Sequence, residues 1–322
     1  MKLGFILTQV TLLRYFMPLI IEGNKRGIKS TVFIFDNSPV KYNAPSKHMD
    51  IINSLSSKYG FEIKQIENID RFDGIVFILE CSGMEAVQNK HKMVVLTATY
   101  DFVRHYDKYV DRADMIVFPS KFFAEYYEKI SDKNLYVGSP KYDIELNKEE
   151  IKDKYNIGNK RNVLFLSPRP KYEVSDDRIN KIYSHLHMMD FDIIVKTRGK
   201  DPVSSNLRGD KYFEDYSWFP HTSMELMEVC DLVVNFDSTG IKECVMMDIP
   251  VINFHVKPLK RLDFLYNYDY CKELKLKIKF DEFKKEVNIL LGKDLSDEFK
   301  KARKKHLFEK GNISGRILDA LK

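Results

Sequence analysis

Two short apolar runs separated by a helical pattern give the clearest structural signal in this chain. The runs Leu232 to Phe236 and Val251 to Phe254 are rich in β-branched residues and short enough to be buried strands. Between them, residues 241–247 follow a helical pattern that opens on Ser238-Thr239-Gly240. A strand, a small polar turn, a helix and a second strand form a βαβ unit, which predicts a parallel sheet.

The turn in this unit is a candidate anion site. It lies at the carboxyl end of its strand and the amino end of its helix, where free backbone N–H groups and the positive end of the helix dipole converge. Ser238 and Thr239 add hydroxyl donors, Gly240 lets the backbone approach a ligand closely, and Glu243 could accept hydrogen bonds from ribose hydroxyls. Alternatively, Ser238 only caps the helix and Glu243 completes a capping arrangement. The local pattern leaves both interpretations open.

Strands and helices alternate through most of the chain. In the first half we predict strands over residues 2–7, 30–35, 61–66, 74–79, 92–96, 115–118 and 134–137, with helices between them. In the second half we predict strands over 162–166 and 192–195 and around 212–216, and helices over 176–189 and 223–229. The tail from residue 259 is rich in Lys and Tyr and is predicted to be mostly helical. A polar stretch around Gly158 marks the domain joint.

This alternation predicts an α/β protein of two Rossmann-like α/β/α domains that face each other across a cleft. The length of 322 residues, with 44% hydrophobic and 31% charged residues, is ordinary for a soluble globular protein of this size. The net charge of +5 suits an anionic ligand or a membrane surface, although dispersed Lys and Arg explain it equally well.

The cysteines and the amino terminus favour a reducing compartment. Cys81, Cys230, Cys244 and Cys271 show no paired metal spacing and are interpreted as buried thiols. The apolar stretch 10–21 is interrupted by a charge and is too short to span a bilayer, and the amino terminus lacks a signal-peptide cleavage pattern. We therefore expect a cytoplasmic protein, with peripheral contact at the inner membrane face left open.

Polar and charged residues directly follow three strands of the second half. The first strand leads into residues 167–171 (Ser-Pro-Arg-Pro-Lys), the second into 196–200 (Lys-Thr-Arg-Gly-Lys), and the last into 237–240. Because parallel strands end on the same side of a sheet, we expect Arg169, Lys196 and Arg198 to surround Ser238. Cations beside a helix amino terminus would bind a diphosphate. The alternative for each cation alone is an ordinary solvated loop charge.

An aromatic segment, Trp218-Phe219-Pro220-His221, precedes the helix predicted from Ser223. Its rings would either flank a nucleobase or belong to the core, and backbone groups near Phe219 and Pro220 could meet the base. The chain contains no Gly-x-Gly-x-x-Gly, P-loop lysine or His-Glu-x-x-His motif. The spacing of His185 and His187 puts their rings on different helix faces, so no metal site is predicted.

Together these segments resemble the GT-B glycosyltransferases, in particular the clan of CDP-glycerol glycerophosphotransferases and UDP-N-acetylglucosamine 2-epimerases. The resemblance is strongest from Asp114 to Phe254. It rests on Asp114-Met-Ile-Val-Phe-Pro-Ser120, on Val137-Gly-Ser-Pro-Lys-Tyr-Asp143, which is similar to a Gly-x-Pro-x-x-Asp signature, on residues 237–243, and on a terminal helix over 311–321. The chain departs from the clan where Arg198 and Gly199 replace a common His-Pro pair, and no epimerase acid/base set is found.

The resemblance implies a metal-independent glycosyltransferase of polysaccharide biosynthesis, without a cofactor, that uses a nucleotide-sugar donor, expected to be UDP- or CDP-linked. Residues 1–157 would form the acceptor domain and 158–310 the donor domain, with a helix over about 311–322 packing back on the first. The expected donor-binding residues are Ser167, Arg169, Lys196, Arg198, Phe219, Pro220, Ser238, Thr239, Gly240 and Glu243. Arg169 would also stabilise the departing diphosphate, Asp101 or His105 would accept the acceptor proton, and Thr8 and Gln9 would line the acceptor side.

The acceptor is expected to be a glycan, a lipid-linked glycan or a modified nucleic acid. Three other activities stay open: a glycosyltransferase acting on modified bases in DNA or RNA, a CDP-glycerol-type glycerophosphotransferase, and a non-catalytic nucleotide-sugar-binding protein. The sequence does not determine the base, the sugar, the stereochemical outcome or the oligomeric state.

Overall fold

The computed structural model describes residues 1–97, 105–197, 201–214, 218–256, 262–308 and 310–322. Its backbone divides into two compact units, one formed by Met1–Ile144 with Lys305–Lys322 and the other by Glu145–Lys304. The joint expected near residue 158 falls inside the second unit, because the helix over Lys148–Tyr155 belongs to that unit. The assignment of acceptor and donor roles to the two units stays a prediction.

The first unit is built on a seven-stranded sheet in which every pairing is parallel. Its strands are β1 (Lys2–Leu7), β2 (Lys29–Ile34), β3 (Glu62–Gln65), β4 (Ile75–Leu79), β5 (Lys92–Leu96), β6 (Met115–Phe118) and β7 (Asn134–Tyr136). They lie in the order β3-β2-β1-β4-β5-β6-β7. Its described helices are α1 (Leu13–Lys25), α2 (Met49–Tyr59), α3 (Tyr106–Tyr109) and α4 (Lys121–Tyr126), together with the terminal helix described below.

The second unit repeats this plan with six parallel strands. They are β8 (Arg161–Leu166), β9 (Phe191–Lys196), β10 (Lys211–Phe213), β11 (Leu232–Asn235), β12 (Val251–Phe254) and β13 (Cys271–Leu274), in the order β10-β9-β8-β11-β12-β13. The helices are α5 (Lys148–Tyr155), α6 (Asp176–His187), α7 (Thr222–Glu228), α8 (Ile241–Met247), α9 (Phe280–Gly292) and α10 (Ser296–His306), whose last two residues belong to the first unit.

In both sheets the chain places the next strands on one side of the first strand and then the later strands on its other side. The direction changes between β1 and β4 in the first unit and between β8 and β11 in the second. Central strands such as β4, β11 and β12 are buried along their whole length, as expected for parallel strands covered on both faces. The predicted α/β class with two doubly wound units is confirmed, and each change of direction leaves a crevice at the carboxyl ends of the strands.

The prediction of a mostly helical tail from residue 259 missed β13. In this strand only Cys271 and Leu274 are buried, while Lys272 and Glu273 between them are exposed. Such a charged segment lacks the apolar run that marks a buried strand, yet at the edge of a sheet it can pair with β12 on one side only. The strand bears on the site described below, because Glu273 accepts a hydrogen bond from the buried Asn253 of β12.

At the amino ends of the strands, an aspartate repeatedly fixes the register. In three places an Asp stands directly before a strand and its carboxylate accepts a hydrogen bond from a backbone N–H near the start of the neighbouring strand. The pairs are Asp114 with Met93 (2.7 Å), Asp210 with Ile193 (2.7 Å) and Asp231 with Asn162 (2.9 Å). A charged acceptor strengthens each bond and ties adjacent strands together at their first residues.

The carboxyl terminus of the chain belongs to the first unit. Its last helix, α11 (Ile313–Asp319), packs on α1, and Asp319 pairs with Arg26 at 2.7 Å. The Gly-x-Pro-x-x-Asp segment supports this contact at both ends. Gly138 has φ +95°, and a Cβ there would lie 2.9 Å from Ile313 Cδ1, whereas Asp143 accepts a hydrogen bond from the backbone N–H of Ser314.

The cysteines are free thiols, with Cys230, Cys244 and Cys271 buried and Cys81 partly so. Burial raises the pKa of the Cys230 and Cys244 thiols well above the ordinary value. In the described parts of the chain, no helix combines the length and the apolar character that crossing a bilayer requires.

The stability of the first unit should fall in mild acid because of His306. Burial lowers the pKa of this imidazole to about 4, and the charge of Lys305 adds to the shift. In the unfolded chain the pKa of histidine is about 6.5. The contribution of the neutral, buried imidazole to folding stability is therefore complete above that pH and is lost as the pH falls towards about 4. The phenyl ring of His306→Phe can keep the contact with the Phe122 ring, whose centroid lies 4.4 Å from that of His306. Between neutral pH and about pH 4.5, the free energy of unfolding of this variant should fall by roughly 2 kcal/mol less than that of the wild type.

Urea unfolding at the two pH values measures this difference. His187→Gln is the control, because the His187 side chain is 50% exposed. An acid dependence that is the same in wild type and in His306→Phe would contradict the assignment.

Candidate functional site

The carboxyl edge of the second sheet brings three of the predicted segments together. β8 lies between β9 and β11, with Leu166 in register with Lys196 and Phe165 in register with Val234. The segments that follow β8 and β11 therefore leave the sheet beside the crevice between these two strands, and β9 ends at Lys196 on the other side of β8. The turn after β11 contacts the end of β8, because a Cβ on Gly240 would lie 3.0 Å from Leu166 Cδ1.

The structure places most of the predicted donor-binding residues on this edge. Ser167 follows β8 and is half-buried, Lys196 ends β9 and is 7% exposed, and the half-buried residues 238–240 follow β11. Arg169 is half-buried two residues beyond Ser167, just before a 3-10 helix over Pro170–Tyr172. The other predicted cation, Arg198, lies outside the described residues.

The aromatic segment divides between core and edge. Trp218 is buried at 3% exposure and belongs to the core, whereas Phe219 and Pro220, joined by a cis peptide bond, are half-buried between β10 and α7. They directly precede α7, which connects β10 to β11, so the chain order puts them towards the edge at which the parallel strands end. This placement is compatible with the predicted contact to a nucleobase.

Asp237 anchors the loop after β11. It is fully buried and adopts the left-handed conformation, with φ +47°. Its carboxylate accepts hydrogen bonds from Asn253 Nδ2 at 2.8 Å and from the Val256 backbone N–H at 2.7 Å, and its own N–H donates to Asn253 Oδ1 at 2.9 Å. The side chain thus holds the ends of β11 and β12 together below the loop.

Two further buried side chains extend this network. Asn235 Nδ2 donates to Asn253 Oδ1 at 3.1 Å and to the Tyr266 hydroxyl at 3.0 Å, and that hydroxyl donates to the Ser238 carbonyl at 2.8 Å. Burial raises the pKa of Tyr266 well above its ordinary value, so the hydroxyl keeps its proton and stays a donor. Asn253 also donates to Glu273 of β13 at 3.1 Å. The path of residues 237–240 is therefore set by contacts from three other segments.

The start of α8 shows part of the capping arrangement that was the alternative interpretation. The residue that caps α8 is Gly240, without a side-chain cap, and its N–H donates to Ser238 Oγ at 3.3 Å. The next two amides, of Ile241 and Lys242, donate to the carbonyls of Ser238 and Thr239 at 3.3 and 3.2 Å. Since α8 has only seven residues, its dipole contributes little. Within the described ranges, the amides of Ser238 and Thr239 donate no hydrogen bond.

Glu243, the predicted ribose-binding residue, lies in the first turn of α8 and is 5% exposed. Its neighbour Lys242 is similarly buried, at 6%. The role of Glu243 towards a ribose stays a prediction.

The predicted acceptor-side residues lie at the carboxyl end of β1, beside the other change of direction. Thr8 is buried, and its Oγ1 has no hydrogen-bond partner among the described residues. Gln9 Oε1 accepts from Thr11 Oγ1 and Asn43 Nδ2, both at 3.5 Å. A Cβ on Gly83, after β4, would lie 3.0 Å from Thr8 Cγ2, so the loops after β1 and β4 are in contact.

Of the two predicted catalytic bases, the structure describes only His105, and Asp101 lies outside the described residues. His105 is half-buried directly before α3, and its Nδ1 is buried without a hydrogen-bond partner in the part of the chain that the structure describes. Across the same residues, no group of three His, Cys, Asp or Glu side chains could hold a metal ion. The expectation of a metal-independent reaction stays a prediction.

One polar residue at this edge was missed by sequence analysis. His255 directly follows β12, and its Nδ1 lies 3.0 Å from Asp237 Oδ2. Its sequence signal is the same as for the other candidates, because a polar residue directly follows the predicted strand Val251–Phe254. A second sequence signal was the pair Asn235 and Asn253. Each lies near the end of an apolar run, and the two are opposite each other in the parallel register of β11 and β12.

No protein-family model and no curated protein matches the chain, but solved structures resemble it over its full length. A putative UDP-N-acetylglucosamine 2-epimerase from Listeria monocytogenes is 14% identical, with a TM-score of 0.63 over 99% of this chain and 95% of that one. A UDP-GlcNAc 2-epimerase from Methanocaldococcus jannaschii, solved with UDP-GlcNAc and UDP, is 13% identical, with a TM-score of 0.62 over 100% and 99%. The wall teichoic acid polymerase TagF is 12% identical, with a TM-score of 0.64 over 99% and 88%.

At such identities the likeness establishes the fold alone. The chain has the GT-B fold that the motif resemblance predicted, a fold shared by glycosyltransferases and by 2-epimerases. The activity must be argued from the residues of the site.

We expect Asn253→Ala to destabilise the second unit by about 2–4 kcal/mol. The substitution would leave the Asp237 N–H and the Asn235 amide buried without their shared acceptor. Asn162→Ala is the matched control. Asn162 is also buried, at 3% exposure, but its amide only donates to the carbonyls of Lys160 and Gly158 at the amino edge. Urea unfolding compares the two variants, and equal losses of stability would contradict a central role for Asn253.

Proposed function

We propose that this chain transfers a sugar or sugar-like group from a nucleotide-activated donor to an acceptor hydroxyl without a metal ion. The observation that supports the proposal is that β8, β9 and β11 end on one edge of the second sheet, where Ser167 follows β8, Lys196 ends β9, and the turn 238–240 contacts Leu166. Hydroxyl groups, backbone amides and a lysine converging on a crevice suit a diphosphate. The M. jannaschii epimerase with the same fold was solved with UDP-GlcNAc and UDP.

In this proposal the parts of the donor occupy different loops. The diphosphate accepts hydrogen bonds from the amides and hydroxyls of Ser238 and Thr239 and faces the charges of Lys196 and Arg169. The nucleobase lies against Phe219 and Pro220, and Glu243 accepts hydrogen bonds from the ribose hydroxyls. UDP- or CDP-linked donors are expected.

The reaction breaks the bond between the sugar carbon and the diphosphate oxygen, and the bonding electron pair stays on that oxygen. The acceptor oxygen forms the new bond to the sugar carbon, and its proton passes to a base. Lys196 and Arg169 stabilise the negative charge that develops on the leaving diphosphate. We keep Asp101 and His105 as the candidate bases and a glycan, a lipid-linked glycan or a modified nucleic acid as the acceptor.

A thermal-shift panel of UDP, CDP, GDP, ADP, UDP-GlcNAc and CDP-glycerol tests the proposal directly. A ligand at 100 times its Kd stabilises the folded state by about 2.7 kcal/mol, which raises the melting temperature measurably. We expect at least one nucleotide to do so and its activated form to be slowly hydrolysed. Absence of any shift would overturn the proposal, and binding without hydrolysis or transfer would favour a non-catalytic binding protein.

Glu243→Ala should weaken nucleotide binding, by about tenfold if two ribose bonds are lost. The measurement is titration calorimetry with the nucleotide that the panel identifies. Glu225→Gln is a matched control, because Glu225 is also a buried helix residue, at 3% exposure, but it accepts from Lys154 and Tyr155 at 2.7 and 2.6 Å. Unchanged affinity in Glu243→Ala would remove the ribose role.

Arg169→Ala should lower turnover more than nucleotide affinity, by about 100-fold in kcat, because the charge it neutralises develops only as the diphosphate departs. Steady-state transfer or donor hydrolysis measures the effect. Arg178→Ala, in the exposed first turn of α6, controls for the loss of one positive charge on this unit. A kcat equal to that of wild type would exclude Arg169 from the mechanism.

A further inference from the structure

Helix α10 presents a face of exposed lysines. Residues 299–308 contain five Lys or Arg side chains and no acidic residue. Phe299, Ala302 and His306 are buried on one side of the helix, at spacings of three and four residues. The helix is therefore anchored by its apolar side. The opposite side carries four exposed lysines, which we call the lysine face: Lys300, Lys301, Lys304 and Lys305.

Little of this charge is neutralised within the protein. Lys301 pairs with Glu298 at 2.8 Å. The other three lysines of the face form no ion pair and no hydrogen bond with the described residues. Arg303, the remaining cation of α10, is only 12% exposed and pairs with Asp248. The lysine face is thus a positive surface whose charge the described part of the fold does not use.

An aromatic patch on α4, formed by Phe122 and Tyr126, adjoins the end of the lysine face. Lys305 Nζ lies 5.6 Å from the centroid of the Phe122 ring, and this ring stacks on Tyr126 with centroids 5.8 Å apart. The Ser120 hydroxyl donates to the His306 carbonyl at 2.7 Å, which holds the end of α10 beside α4. Because Tyr126 is 48% exposed, an aromatic surface faces solvent next to unpaired cations.

This combination suits the surface of an anionic lipid bilayer. Clustered lysines on a helix are attracted to anionic headgroups, and each contributes about fivefold to the affinity. Their ammonium groups can reach lipid phosphates while their stems lie along an apolar neighbour, and tyrosine rings are favoured at the level of the headgroups. Charge and exposed aromatic surface therefore point to the same partner.

The shape of the surface favours a bilayer over a nucleic acid. Single strands are usually held in a positively charged groove, with bases stacked on open aromatic faces. Here the lysines lie on the convex side of one helix, and Phe122 and Tyr126 already stack on each other. A convex charged face with an aromatic ring at its end matches a flat, anionic layer better than a strand.

We propose that the lysine face of α10 and the aromatic patch of α4 form a docking surface for an anionic lipid bilayer. The lysines bind headgroup phosphates, and the Tyr126 ring lies among the headgroups. The attachment is peripheral, because the apolar side of α10 stays packed in the protein. The inference does not rest on the proposed sugar transfer.

Co-sedimentation of the full chain with lipid vesicles tests the docking surface. The vesicles consist of phosphatidylcholine alone or of an equal mixture with the anionic phosphatidylglycerol. We expect binding to the anionic vesicles that weakens as the salt concentration rises, and much weaker binding to the neutral ones. Binding to neither kind, or equal binding to both, would overturn the proposal.

The triple variant Lys300→Gln/Lys304→Gln/Lys305→Gln should bind anionic vesicles roughly 100-fold more weakly than wild type, since three contributions of about fivefold are lost. Because these side chains are exposed, the unfolding midpoint should stay at the wild-type value, and it is measured alongside. Unchanged vesicle binding in this variant would exclude the lysine face.

A matched control removes three exposed lysines elsewhere in the tail. It is Lys277→Gln/Lys284→Gln/Lys285→Gln, in a segment where Asp281 and Glu282 lie between the lysines. The loss of net charge is the same, but no uninterrupted positive face is removed, so binding should fall far less. Equal losses in the two triple variants would indicate a general charge effect and overturn the docking surface.

The aromatic patch is tested by Tyr126→Ser, which should weaken binding to anionic vesicles several-fold at constant charge. Met188→Ser is the control, because Met188 is also an exposed apolar residue, at 56%, but follows α6. Wild-type binding by Tyr126→Ser would remove the patch from the contact.

An oligonucleotide arm distinguishes a bilayer from a nucleic acid. Single-stranded RNA and duplex DNA are offered to wild type and to the lysine-face variant under the same salt conditions. Oligonucleotide binding that depends on the lysine face, without binding to anionic vesicles, would identify a nucleic acid as the partner and overturn the bilayer. Nucleotide binding in the thermal-shift panel is a separate measurement, so a failure here leaves the proposed sugar transfer standing.

Discussion

The second sheet depends on a polar network buried where a parallel sheet is normally apolar. Asn235, Asn253 and Asp237 are fully buried at the carboxyl ends of β11 and β12, and Asn253 joins the other two through bonds of 2.8–3.1 Å. Because a buried polar group without a partner is costly, the bonds made by Asn253 favour the register in which it lies opposite Asn235. The same bonds fix the start of the turn at residues 238–240. The stability of the sheet edge and the geometry of the candidate site therefore have one physical origin.

The two edges of the sheet use the same residue type in different ways. At the amino edge, Asp210 and Asp231 stand before a strand and accept from a backbone amide of the next strand, which is a structural use. At the carboxyl edge, Asp237 follows a strand and accepts from the Asn253 side chain and the Val256 amide. This contrast matches the general rule that parallel sheets bind ligands beyond the carboxyl ends of their strands. Buried aspartates become informative about function only once the edge is known.

Local patterns were enough to predict the βαβ unit at 232–254, because each of its elements carries its own apolar period and its own turn residues. They failed at β13, where only the pairing with β12 makes the segment Cys271–Leu274 a strand. The buried polar network could not be predicted from the sequence for the same reason, because Asn235 and Tyr266 form a hydrogen bond although 31 positions separate them. The edge location of Ser167 and Lys196 could be predicted from the direction of the strands, whereas the partners that fix the turn could not. No local signal exists for contacts that only the folded sheet creates.

The absence of a matching family model beside a full-length structural likeness follows from the same division. A doubly wound unit needs buried β-branched strands, helices that cover them and turns at regular distances, and very different sequences satisfy these requirements. Identities of 12–14% to proteins with TM-scores above 0.6 are what such a tolerant pattern allows. Function permits much less sequence variation, because it depends on which few side chains lie at the carboxyl edge of the sheet. Here that edge is shaped by a buried Asn–Asp network of this chain's own, so the reaction has to be inferred from these residues and not from the proteins that share the fold.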